Sequence, residues 1–117
     1  MPKDPIIAIR DCLTEIAILK EIAGRMTLQG FRDDPIARRA AAYAIQTISE
    51  AVRRIPDEWL ADFAAQPWAQ IKSIGNRLRH EYFRIDDAIL WQILTIDAPS
   101  LRLALQSMID RHSGNTG

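Results

Sequence analysis

Between Lys72 and Arg84 the chain sets four basic residues, Lys72, Arg77, Arg79 and Arg84, against one acid, Glu81, with His80 among them. On an ideal helix turning about 100° per residue, Ser73, Asn76, Arg77, His80 and Arg84 share one side, while Leu78 and Tyr82 turn to another. One side packs; the other presents an imidazole among guanidiniums and an amide. Arginine grips a phosphate bidentately and stabilises an oxyanion as it develops. Neutral imidazole takes the proton of a ribose 2′-hydroxyl, imidazolium protonates a leaving oxygen, and asparagine orients either group. That set suffices for metal-independent cleavage of RNA, whose own 2′-hydroxyl is the nucleophile; DNA lacks it. The plain alternative is a solvated helix face, where arginine and lysine stand by default.

Other chemical signatures are missing from the sequence. It has no glycine-rich phosphate loop, no metal-binding histidine pair and no nucleophile elbow. His112 is remote from His80 and reads as a solvated histidine in a last helical turn, near the negative end of the helix dipole. Asp33-Asp34 and Asp86-Asp87 look like paired carboxylates, but each pair precedes a helical pattern, and capping explains it. The single cysteine, Cys12, excludes an internal disulfide and a thiolate zinc site and fits a reducing compartment. Beside Ile9, Leu13 and Ile16 it reads as a small buried hydrophobe. Trp59, Trp68 and Trp91 read as packing aromatics rather than a base-stacking platform.

The elements that must position the basic stretch are helices. Asp4-Pro5 starts the first, with apolar residues at Ile6, Ile9, Leu13, Ile16, Ile22 and Ala23. The period fades at residues 27–31, which read as a loop. Asp34-Pro35 starts a long helix with Ile36, Ala40, Tyr43, Ala44, Thr47, Ile48, Ala51, Val52 and Ile55 inward and Arg38, Arg39, Glu50, Arg53 and Arg54 outward. Pro56-Asp57 ends it and opens a short segment over residues 58–65, with Trp59, Leu60 and Phe63 inward. Pro67 opens the functional helix, expected to bury Trp68, Ile71, Ile74 or Gly75, Leu78 and Tyr82. Asp86-Asp87 caps a further segment with Ile89, Leu90, Ile93 and Leu94 on one side. Pro99 is expected to break it before a last helix carrying Leu101, Leu103, Leu105, Met108 and Ile109. Strand signals are almost lacking. The expected fold is all-α: a single domain over residues 1–112, an antiparallel bundle of about four main helices and one short one, with a disordered tail at 113–117.

Fifteen basic and fifteen acidic side chains in 117 residues leave no net charge, which excludes a globally basic nucleic-acid coat; an anion site must be local. No apolar run approaches bilayer-span length, and Met1-Pro2-Lys3-Asp4-Pro5 lacks signal-peptide order, so a cytoplasmic protein away from membranes is expected.

The sequence Asn76…His80-Glu81-Tyr82, following Pro67-Trp68 and followed by Ile85-Asp86 and Trp91, resembles the HEPN superfamily, and within it the HepT-like ribonuclease toxins of toxin-antitoxin modules. The resemblance spans most of the chain and is most specific from Pro67 to Trp91. It implies an all-α homodimer whose two motifs meet in a cleft, and a metal-independent endoribonuclease that needs no cofactor. It also implies a cognate nucleotidyltransferase antitoxin that adds AMP to the motif tyrosine. Carried over, His80 is the acid-base residue, Asn76 the polar motif residue and Tyr82 the modification site. The motif arginine expected directly before Asn76 is instead Gly75. Arg77 is the candidate replacement on the His80 face, with Arg79, Lys72, Arg84 and Ser73 as RNA- and phosphate-binding residues and no metal ligands. Losing a phosphate-gripping cation costs about 3–4 kcal/mol of transition-state stabilisation. The alternative is therefore a catalytically weak or inactive module that binds a nucleotidyltransferase partner or a nucleotide. The glycine also suggests a close backbone approach, across a dimer seam or to a phosphate.

Overall fold

The computed structural model describes residues 4–113, all of whose regular elements are helical. Three aspartates start helices as expected. Asp4 accepts from the Ile6 N–H (2.9 Å) at the head of α1, Pro5–Arg25. Asp34 accepts from the Ile36 and Ala37 N–H groups (3.0 Å each) at the head of α3, Pro35–Val52. Asp86 accepts from the Ala88 N–H (2.9 Å) at the head of α6, Asp87–Gln92. Each bond satisfies a donor that the first turn leaves open.

Residues 27–31, expected as a loop, instead enter a short helix, α2, Leu28–Arg32. Thr27 supplies the cap by accepting from the Gly30 N–H (3.1 Å), and Phe31 is fully buried. A single turn has too few residues for periodicity to register. A second short helix, α4, Asp57–Ala61, follows Pro56. The functional helix is α5, Trp68–Glu81. Its first turn has no side-chain cap; the Trp68 indole instead donates to the Leu60 and Phe63 carbonyls (3.0 Å each), tying its start to the end of the α4 segment.

Pro99 does not break the last helical region. Residues Asp87–His112 form one continuous helix in which α6 passes through a π-helical turn, Ile93–Asp97, into α7, Ala98–Ser113. The wider turn accommodates the missing proline N–H and its ring. Two segments that are short in sequence thereby join into a helix long and apolar enough to cross a membrane by length and composition, contrary to the expectation that nothing reaches that span. Its buried stripe of Leu90, Leu94, Ala98, Leu101, Leu105 and Met108 belongs to the core. The chain stays helical through Ser113, where a tail was expected; residues 114–117 of that tail lie outside the described residues.

The core runs from α5 through α3 and α1 to α7, each packing on the next, in a body of 49 × 28 × 26 Å. Among the described residues, four long helical units and two short ones therefore make the all-α bundle. The inward face of α3 is as expected over its second half, where Ala44, Ile48, Ala51 and Val52 are buried, as is Ile55 just beyond its end. Over the first half Ile36 and Tyr43 are 81% and 70% exposed, Ala40 is exposed, and Ala41, Ala42 and Ile45 are buried instead. Ile89, expected on one side with Leu90 and Leu94, is exposed while those two are buried, and Leu103 of the last helix is exposed as well. Small Ala41 and Ala42 let the first half of α3 bury a face that Ile36 and Tyr43 do not mark.

Candidate nucleic-acid interface

Helix α5 packs tightly on α3 through Gly75 and Ser49. An ideal Cβ at Gly75 would stand 2.6 Å from both Cβ and Oγ of Ser49, nearer than real Cβ atoms come. Buried Ser49 donates its hydroxyl to the Lys72 carbonyl (2.8 Å) and accepts from the Gly75 N–H (3.3 Å). The Arg53 guanidinium, from the C-cap residue of α3, donates to the same Lys72 carbonyl (2.8 Å). The close approach suggested by Gly75 is thus made within the chain, to α3.

Taking His80 as zero and turning about 100° per residue, Ser73 lies near +20°, Asn76 near −40°, Arg77 near +60° and Arg79 near −100°. Two hollows flank the helix in that order. Toward α3, a cleft of about 310 Å³ is lined by Ser49, Glu50, Arg53, Lys72, Gly75, Asn76 and Arg79. Toward α6 and α7, a groove of about 550 Å³ has an apolar floor that includes Ile45, Ile71, Ile74 and Ile93, with Ser73 and Arg77 among its lining residues. His80 is exposed on the crest between them, with exposed Asn76 and Arg77 on either side. Ser73 is exposed as well and donates to the Gln70 carbonyl (3.1 Å).

Other expected members are differently engaged. Arg79 is ion-paired with Glu50. The Lys72 ammonium stands 3.4 Å from Asp57. Arg84 does not continue the helical face assigned to it: α5 ends at Glu81, and residues 82–84 form a 3₁₀ turn, Tyr82–Arg84. The Tyr82 ring is half-buried, edge-on to Phe83, with the Arg39 guanidinium 6.0 Å from its centroid. Its hydroxyl is covered and has no hydrogen-bond partner.

The remaining candidates resolve simply. Cys12 is buried, its Sγ 3.8 Å from the Ile48 carbonyl, and burial pushes its thiol up to about 12. His112 is not solvated, as the sequence suggested: its ring stacks on Trp59 at 3.7 Å and 4°, and its Nε2 is covered without a partner. Trp91 packs against Phe31, with ring centroids 5.5 Å apart. Asp34 and Asp86 cap helices; Asp33 accepts from Gln29, and Asp87 pairs with Arg38. Sequence reasoning missed Ser49, Glu50 and Arg53 as neighbours of this site. Glu50 and Arg53 look like ordinary outward residues of α3, and their partners lie 19 to 29 residues away.

The family described as Ribonuclease HepT-like matches residues 12–108. A candidate RNase of Caldanaerobacter subterraneus subsp. tengcongensis is 27% identical over 93% of this chain and 97% of its own. A protein of Thermococcus cleftensis named as a probable ribonuclease HepT is 27% identical over 80% of this chain and 86% of its own. A candidate RNase of Methanocaldococcus jannaschii is 27% identical over 86% of this chain and 84% of its own. No solved structure is a significant match.

Proposed function

The chain belongs to the HepT-like ribonuclease family, and from that premise we propose that it is a metal-independent endoribonuclease, the cytoplasmic toxin of a toxin-antitoxin pair. The observation that carries this reading is the family match over residues 12–108 together with the exposure of Asn76, Arg77 and His80 along one helix. His80 takes the proton from a ribose 2′-hydroxyl; the 2′-oxygen attacks the adjacent phosphorus, and the bond to the 5′-oxygen breaks. An imidazolium returns a proton to that leaving oxygen. The products are a 2′,3′-cyclic phosphate and a 5′-hydroxyl. Arg77 holds the non-bridging oxygens as charge builds on them, and Asn76 orients the imidazole or the phosphate. Arg79, Lys72, Arg84 and Ser73 follow the RNA strand. A homodimer sets two such crests across one cleft, and a nucleotidyltransferase antitoxin silences the enzyme at Tyr82.

The second reading, a module that binds its partner without cutting RNA, is favoured by one observation: position 75 has no room for the motif arginine. One experiment separates the two. After intact mass has shown that the purified protein carries no added nucleotide, it is incubated with RNA in excess chelator beside His80→Ala and Arg77→Ala. Chelator-resistant cleavage that His80→Ala abolishes and Arg77→Ala reduces by two to three decades supports the enzyme. An uncut substrate with unmodified wild type refutes it and leaves the module. Growth arrest on expression, relieved by His80→Ala, tests the toxin assignment.

A further inference from the structure

The polar cleft between α3 and α5 brings together Arg53, at the end of α3, and two cationic residues of α5, Lys72 and Arg79, with the Asn76 amide beside them and Glu50 as the lone carboxylate in the lining. In a chain with no net charge this is a local concentration of positive charge. All three cations are already engaged. Arg53 is fixed by its bond to the Lys72 carbonyl, and this bond uses one arm of a guanidinium that has five N–H donors. Arg79 is held by Glu50, a pair whose side chains are each about half exposed (51% and 54%). An exposed pair of this kind is weak and exchangeable. Lys72 is held at 3.4 Å by Asp57, whose side chain is 93% exposed. The cleft volume of about 310 Å³ is at the lower end of ligand sites.

We propose that this cleft is a second phosphate subsite, in which Arg53 and Arg79 bind the RNA phosphate next to the one at His80, and that Glu50 occupies Arg79 until RNA displaces it. The inference rests on the ribonuclease reading and adds to it a residue from another helix. Arg53 supplies, from α3, positive charge beside position 75, where the chain carries glycine. Glu50 makes binding competitive: the phosphate must exchange for a carboxylate already in place.

The test uses the full chain and a fluorescent single-stranded 2′-O-methyl oligoribonucleotide, which keeps its phosphates but cannot be cut by internal attack. Affinity is measured by anisotropy across a salt series for wild type, Arg53→Gln, Arg79→Gln, Glu50→Gln and, as a control for plain loss of charge, Arg102→Gln on the exposed face of α7. Arg53→Gln and Arg79→Gln are each expected to lower the slope of log affinity against log salt by about 0.7, and Arg102→Gln to leave it unchanged. Glu50→Gln is expected to tighten binding about two- to fivefold, the strength of an exposed ion pair now removed. Should Arg53→Gln fail to fold, Arg79→Gln and Glu50→Gln carry the test. Slopes for the cleft variants that match Arg102→Gln overturn the subsite, and an unchanged affinity in Glu50→Gln overturns the competition. If wild type cuts RNA while the cleft variants bind like wild type, the subsite alone falls. If wild type neither binds the probe nor cuts RNA, the ribonuclease reading falls, and the subsite with it.

Discussion

Replacing Gly75 by alanine inserts a methyl carbon 2.6 Å from two atoms of Ser49, at a contact where neither partner is the loose end of a long side chain. Two effects oppose each other. Alanine is a better helix former than glycine by about 1 kcal/mol. Overpacking a tight contact costs about 1–3 kcal/mol. The net expectation is a loss of about 0–2 kcal/mol, or up to about 8 °C in Tm for a chain of this size. A double-mutant cycle isolates the contact. Ser49→Gly removes the obstructing atoms, and in that background Gly75→Ala is expected to stabilise by up to about 1 kcal/mol. The coupling between the sites is then about 1–3 kcal/mol, measured by urea unfolding with tryptophan fluorescence. If Gly75→Ala stabilises wild type by the same amount as it stabilises Ser49→Gly, the helices are not held apart by this pair, and the structural account of Gly75 is wrong.

Three further outcomes are expected. The native Cys12 thiol stays protonated to about 12, against an ordinary value of 9.0, so the unfolded chain releases its proton first as pH rises. Stability is unaffected by this group below about pH 9 and falls above it by about 1.4 kcal/mol per unit; urea melts at pH 8 to 10 should show that extra slope in wild type and not in Cys12→Ala. His112→Ala removes the ring stacked on Trp59 and should cost about 0.5–1.5 kcal/mol, read as a lower Tm and altered tryptophan emission; an unchanged melt contradicts it. Tyr82→Phe deletes a covered hydroxyl that has no partner and is expected to be neutral or to stabilise by about 1 kcal/mol. A loss greater than that in thermal melts would mean the hydroxyl has a partner.

What the sequence discloses here follows from the range of each signal. Asp4, Asp34 and Asp86 act on backbone groups two or three residues away, so their capping is written locally and is found where expected. Helix phase is less secure. On α3 the expected Ile48 and Val52 are buried, but over the first half of the helix the expected Ile36 and Tyr43 are exposed while Ala41 and Ala42, which carry little hydrophobic contrast, are buried. Pro99 fails as a stop signal because a π turn absorbs the missing donor, a change in helical pitch that no residue type announces. The candidate site divides in the same way. His80, Asn76 and Arg77 are adjacent in one helix, and their shared outer face follows from spacing. Glu50 and Arg53 join the neighbouring cleft only because α3 and α5 pack together, and nothing within either helix names the other.

Gly75 links the packing of α5 on α3 to the charge available at the site. An arginine there carries the same Cβ that alanine does, so its backbone cannot lie against Ser49 as the glycine does. Fitting it requires α3 and α5 to part, and parting them draws Ser49 and Arg53 away from the Lys72 carbonyl that both hold. Restoring the motif arginine by Gly75→Arg therefore adds a cation at the expense of the contact that orients another. It should lower Tm by at least as much as Gly75→Ala and leave RNA cleavage no faster than wild type. In Ser49→Gly the obstructing side chain is gone, and Gly75→Arg there should recover part of that stability. A Gly75→Arg single variant that melts like wild type and cuts RNA faster would show that the helices have room to spare. Charge at position 75, rather than the tight crossing, would then be what this chain lacks.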